Sequence, residues 1–149
     1  MLSSIGCDFV KTVWHKPFFD ASKSRLSLEE YQLMIGELNK IVQNSIDTKS
    51  DIVVAGFIPG KDWTGTVWDP IYSKACGHDE EHSAQFFGLL VCQVLIDREE
   101  TWYFLKQEVT AKGMIYFKEK EKSEKSIEEI EIKVMASFDD LKNKIGKAI

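Results

Sequence analysis

Apolar residues recur every three or four positions over residues 28–46, which predicts an amphipathic helix with one buried stripe. The residues before this stripe form a capping box, because Ser27 and Glu30 can each accept a hydrogen bond from a free backbone N–H group of the other. The sequence therefore predicts that this helix begins directly after Ser27.

A second stripe of this kind runs over residues 127–147 and also follows a capping box, at Ser126 and Glu129. Apolar residues alternate over 130–134 as well, so a strand followed by a helix capped at Ser137 is the alternative. We favour one long helix, because its stripe extends over about five turns.

Residues 80–97 are apolar around most of a helical circumference, which is typical of a helix buried at the centre of a domain. Asp79 can cap the N-terminus of this helix. A shorter helix is predicted over residues 70–76, because Pro70 suits a first helical position and Gly77 can end the element.

Three segments have the composition of strands. Residues 52–58 are β-branched and apolar, which predicts a strand buried on both faces. Residues 102–108 and 114–118 flank a short connection that ends at Gly113, so they predict an antiparallel hairpin.

The first 26 residues have no single interpretation. Ile5, Cys7 and Phe9 alternate as in a strand, whereas Ile5, Phe9 and Val13 share one face of a helix. We expect Pro17 to end either element, with the two phenylalanines after it entering the core.

These elements predict an α+β fold, with a small mixed or antiparallel sheet of about three to four strands covered by helices. A chain of 149 residues without repeats or a Pro/Gly-rich linker is expected to form a single domain over residues 1–149.

Net charge and cysteine content narrow the class of function. The formal net charge is −5 and no segment concentrates Lys and Arg, so nucleic-acid binding is not expected.

The longest apolar run, residues 86–96, is about half the length of a helix that spans a bilayer, so no membrane span is expected. Three cysteines far apart do not resemble a disulfide framework, and the N-terminus does not resemble a signal peptide, so we expect a soluble cytoplasmic protein.

Candidate chemistry concentrates between Lys61 and His82, where polar groups, aromatic rings and glycines follow a predicted buried strand. The predicted binding residues are Lys61, Asp62, Trp63, Thr64, Thr66, Trp68, Asp69 and Tyr72. The alternative interpretation is structural: Trp63 and Trp68 cover the core, while the threonines and aspartates hold a turn.

Cys76, His78 and His82 are candidate metal ligands, because thiolate and imidazole bind zinc well. Their spacing matches no established zinc pattern, so no cofactor is predicted and zinc stays a minor hypothesis. Cys76 could also pair with either histidine as a nucleophile. The glycines near Lys61 match neither a P-loop nor a dinucleotide fingerprint, so nucleotide binding is not expected.

Two functions remain in competition. The first is a non-catalytic protein-binding or regulatory module, such as an inhibitor or an immunity-like neutralising partner, that uses the aromatic and acidic loop 61–72. The second is a small enzyme or ligand-binding domain that uses the loop 61–82 with Cys76, His78 and His82, around zinc or without it. Membership of a larger assembly through the C-terminal helix is a third alternative.

Overall fold

A computed structural model describes residues 1–4, 9–104 and 114–119. The strands are β1 (Leu2–Ser4), β2 (Phe9–Val10), β3 (Ile52–Val54), β4 (Trp102–Phe104) and β5 (Ile115–Lys118), and the helices are α1 (Lys16–Ser24), α2 (Leu28–Asp47) and α3 (Glu80–Asp97). Residues 1–119 cluster into one compact unit. The predicted helix over 127–147 and the turn at Gly113 lie outside the described residues, and the single domain over 1–149 stays a prediction.

The described strands form one five-stranded mixed sheet in the order β2-β1-β4-β5-β3. β1 and β4 are parallel, and every other neighbouring pair is antiparallel. The predicted pairing of residues 102–108 with 114–118 is present in the described part, where Trp102 lies opposite Lys118 and Phe104 opposite Tyr116. The α+β class is confirmed, and the sheet has five strands because the N-terminal region contributes β1 and β2.

The strand predicted over residues 52–58 is shorter and more exposed than expected. β3 ends at Val54, and a 3-10 turn follows over Ala55–Phe57. Val53 is buried, whereas Ile52 is 51% exposed and Phe57 61% exposed. The prediction of burial on both faces is therefore wrong, because successive side chains point to opposite faces and only the face of Val53 packs on the core.

A side chain from α2 hydrogen-bonds to the outer side of β3 at Ile52. The hydroxyl of Ser45 donates to the carbonyl oxygen of Ile52 at 2.9 Å and accepts from the amide of Ile52 at 3.1 Å. Ser45 is itself buried. The backbone groups of Ile52 that face away from β5 are thus hydrogen-bonded within the chain.

Pro17 begins a helix instead of ending one. It stands in the first turn of α1, where its missing N–H group removes no helical hydrogen bond. Phe19 then lies in the core with its ring stacked on that of Phe86, 5.3 Å between centroids, and Phe18 is half-buried. The expectation that these phenylalanines enter the core is correct, with Phe19 the deeper of the two.

The capping predictions for α2 and α3 are confirmed. The Ser27 hydroxyl accepts from the Glu30 amide at 3.1 Å, and the Glu30 carboxylate accepts from the Ser27 amide at 2.9 Å. Asp79 caps α3 by accepting from the His82 amide at 2.9 Å.

The helix α3 lies at the centre of the described unit. It contacts β1, α1, α2, the 3-10 turn over Ala55–Phe57 and a turn over Ile71–Ala75. Its buried side chains are Ser83, Phe86, Phe87, Leu90, Val91, Cys92, Val94 and Leu95. The helix predicted over 70–76 is a single π-helical turn over Ile71–Ala75, with Pro70 before it and Gly77, at φ 59°, after it. No helix within residues 1–4, 9–104 and 114–119 is both long and apolar enough to cross a membrane.

Candidate functional site

Two tryptophans hold the loop after β3 against α3. Trp68 is 5% exposed, and its ring meets Phe87 edge-on at a centroid distance of 5.0 Å. Trp63 is half-buried, lies 5.9 Å from the same phenylalanine ring, and donates from Nε1 to the carbonyl oxygen of Gly60 at 3.0 Å. Trp68 is therefore a core residue, whereas Trp63 both packs on the core and reaches the surface.

Hydrogen bonds within the loop fix its turns. The Thr66 hydroxyl donates to the Trp63 carbonyl oxygen at 2.7 Å and accepts from the Trp68 amide at 3.2 Å. The Asp62 carboxylate accepts from the Thr64 amide at 3.0 Å, and this bond lowers the pKa of Asp62 below its ordinary value. The predicted role of the threonines and of Asp62 in holding a turn is therefore present, and it keeps Asp62 charged.

A cleft of about 390 Å³ lies between this loop and the first turn of α3. We call it the acidic cleft, and its lining residues are Gly60, Lys61, Asp62, Trp63, Thr64, Asp69, Tyr72, Glu80 and Ser83. Six of the eight predicted binding residues line it. Of the other two, Trp68 is buried beneath the loop, and Thr66 is exposed and hydrogen-bonds within the loop.

Glu80 and Ser83 were not among the predicted binding residues. Both belong to α3, and the sequence places them in a helix start next to the capping residue Asp79. An acid in the first helical turn is common because it interacts favourably with the helix dipole, so Glu80 alone gives no signal of a site. Only the packing of Trp63 on α3 reveals that the loop and this turn face one cleft.

The charges around the acidic cleft are unbalanced. Asp62, Asp69 and Glu80 contribute three carboxylates, and Lys61 contributes one ammonium group. Within the described residues, none of these four side chains has an oppositely charged group within 4.0 Å. Three negative charges in one concave surface with a single positive one attract a cationic group.

The three predicted zinc ligands follow the π-helical turn, and the two histidines among them pack against different aromatic rings. The His78 ring packs edge-on against Tyr72 at 5.1 Å, and the His82 ring lies 5.6 Å from Phe18. His82 Nδ1 is 3.5 Å from a carboxylate oxygen of Asp79. No group of three or more His, Cys, Asp and Glu residues that could hold a metal ion occurs in the described part of the chain.

The cysteines in the described part have the environment of packed thiols. Burial is the main cause that raises the pKa of Cys76, and it raises the pKa of Cys92 to about 12. Both therefore stay protonated near neutral pH, whereas a nucleophilic cysteine needs the thiolate. Cys92 lies in the core and is 1% exposed.

Comparison with known proteins returned no match, whether to protein-family models, to curated proteins or to solved structures.

Proposed function

We propose that the protein is a non-catalytic protein-binding module that regulates or neutralises its partner, and that the loop 61–72 is its contact surface. The observation that supports this proposal is the acidic cleft, in which aromatic rings and carboxylates stand on a loop that is fixed to the core. Aromatic anchors in a concave, charged surface are the common centre of a protein–protein interface.

The rigidity of the loop favours binding, because little conformational freedom is lost when the partner arrives. Trp63 is fixed by its bond to Gly60 and by its packing on Phe87. Trp68 is buried beneath the loop, and Thr66 links the two tryptophans through its hydroxyl. These internal contacts reduce the ordering that the loop would need when a partner binds.

The enzyme hypothesis receives no comparable support from the described residues. A Cys76 nucleophile would need a lowered thiol pKa, whereas burial raises it. His78 and His82 pack against different aromatic rings, those of Tyr72 and Phe18. The geometry thus gives more support to a binding surface than to a catalytic centre at this loop.

Affinity capture from a lysate of the source organism, followed by quantitative mass spectrometry, tests the proposal. The test variant is Glu80→Lys, which reverses a charge in the acidic cleft. The control is Glu81→Lys, because Glu81 lies in the same exposed first turn of α3 but does not line the cleft. Both variants lose the same favourable contact with the helix dipole.

We expect the wild type and Glu81→Lys to retain the same basic protein in stoichiometric amount, and Glu80→Lys to retain at least tenfold less of it. A reversed charge inside an interface opposes a basic partner and weakens binding by several kcal/mol. Equal recovery with all three proteins, or no stoichiometric partner with any of them, would refute the proposal.

A further inference from the structure

We infer that the acidic cleft receives the guanidinium group of an arginine side chain from the partner, with a short stretch of the partner's backbone beside it. This inference rests on the proposed protein-binding function and names the chemistry that the same site recognises. It follows from the charges, the aromatic walls and the free hydrogen-bond acceptors of the cleft.

The start of α3 would ordinarily suggest an anion, because free N–H groups and the helix dipole attract negative charge. Here the Asp79 carboxylate already accepts from the His82 amide, and Glu80 adds a negative charge to the first turn where it lines the cleft. An anion in the cleft would also meet the carboxylates of Asp62 and Asp69. The helix start belongs to a site for a cation.

Hydrogen-bond acceptors are available on two sides of the cleft. Within the described residues, no hydrogen bond or ion pair involves the carboxylate of Asp69 or of Glu80. The Asp62 carboxylate accepts from the Thr64 amide and also interacts with the Thr64 hydroxyl, which uses only part of its capacity of about four lone pairs. A guanidinium group carries five N–H donors in a plane and can bind several such acceptors at once.

The aromatic walls distinguish arginine from lysine. Trp63 and Tyr72 line the cleft, and a guanidinium plane stacks on such rings while it donates to carboxylates at its edge. An ammonium group can also lie over a ring, but it is more strongly hydrated and has no plane that stacks on the ring while its edge binds carboxylates. The cleft volume of about 390 Å³ is larger than one side chain needs, so it also has room for flanking residues of the partner.

Two matched peptides test the inference: acetyl-Gly-Gly-Arg-Gly-Gly-amide and the same peptide with citrulline, the neutral isostere of arginine. Each is titrated into the isotope-labelled full chain, with amide and indole resonances followed by NMR. We expect the arginine peptide to shift the Trp63 indole resonance saturably. The citrulline peptide should bind at least tenfold more weakly.

The protein variants for this titration are Asp69→Asn combined with Glu80→Gln, and Glu81→Gln combined with Glu99→Gln as the control. The first pair removes two cleft carboxylates, and the second removes two exposed charges outside it. We expect at least tenfold weaker binding of the arginine peptide to the first variant and unchanged binding to the control. Equal shifts with both peptides, no saturation, or a tighter response to inorganic phosphate would overturn the inference.

The two proposals can fail separately. If the capture experiment recovers a partner that depends on Glu80 while the arginine peptide does not bind, the module function holds and the arginine assignment falls. If the arginine peptide binds as expected and no partner is captured, the cleft recognises guanidinium groups and the protein-binding function falls.

Discussion

Charged side chains lie at both ends of α3. The two ends differ in whether the protein itself supplies an oppositely charged partner. At the C-terminal end, Arg98 donates to both carboxylate oxygens of Glu100 at 2.7 and 2.8 Å. Its remaining donors reach Asn39 and Gln43 on α2 at 3.0 and 2.7 Å. At the N-terminal end, the Glu80 carboxylate faces the acidic cleft with no oppositely charged partner among the described residues.

This difference separates charges that hold the fold from charges that remain available to a ligand. The Arg98 side chain is 13% exposed and joins α3 to α2 and to the segment that leads into β4. A charge in such a position is neutralised within the chain, because an unpaired charge there would lose its hydration without compensation. Glu80 stays exposed and hydrated, so its charge can be matched by a partner at little structural cost.

The largest effect on stability is expected from the packed part of α3. Leu95 is fully buried, so Leu95→Ala should lower the free energy of unfolding by about 2–5 kcal/mol through lost burial and a residual cavity. Leu33→Ala is the control, because Leu33 is 58% exposed on α2 and the same change should cost about 0.5 kcal/mol or less. Urea denaturation measures both, and similar losses in the two variants would contradict this description of the core.

A smaller and pH-dependent effect is expected from Arg98. Arg98→Met keeps the alkyl chain and removes the donors, so at pH 7 it should lower the free energy of unfolding by about 2 kcal/mol. Hydrogen bonding to Arg98 is the main cause that lowers the pKa of Glu100 in the folded protein. The stability from this pair is therefore complete above the ordinary glutamate pKa, about 4.3, and is lost as the pH falls through the lower folded value.

Urea denaturation of the wild type and Arg98→Met at pH 7 and at pH 3 checks both parts of this prediction. The difference between the two proteins should be smaller at pH 3. Glu80→Gln removes a charge at the other end of α3 and should change the free energy of unfolding by no more than about 0.5 kcal/mol. A loss from Glu80→Gln as large as that from Arg98→Met would show that the two ends do not differ.

The smallest effect is expected from the cap of α3. Asp79→Ala removes the acceptor of the His82 amide and should cost about 1 kcal/mol, whereas Asp79→Asn keeps an acceptor at this position and should cost a few tenths. Thermal unfolding followed by circular dichroism distinguishes them. If the alanine variant is as stable as the asparagine variant, the hydrogen bond from the His82 amide to Asp79 does not stabilise α3.

The sequence predicted α2 and α3 well because local signals mark their starts, whereas α1, which begins at Lys16, was not predicted. The box at Ser27 and Glu30 and the cap at Asp79 place the starts of α2 and α3 correctly. β1 and β2 were missed, because strands of three and two residues have little periodicity of their own. The position of β1 depends on pairing with β4, about a hundred positions later in the chain.

The candidate site was predictable only where it depends on local sequence, and not where it depends on long-range packing. Local composition identified the loop residues that line the acidic cleft, since aromatic and acidic residues concentrate there. It could not separate Trp63, which reaches the surface, from Trp68, which lies in the core. That distinction and the contribution of Glu80 depend on how the loop packs on α3, which is a long-range contact.

The hydroxyl of Ser45 also affects what the sheet can do with other molecules. A strand at the end of a sheet is a template on which another extended chain can pair, and fibrils grow in this way. At Ile52 the amide and the carbonyl that such a chain would use are already bonded to Ser45. An incoming strand must first displace this internal hydrogen-bonding group, so the Ser45 hydroxyl opposes uncontrolled growth of the sheet at Ile52.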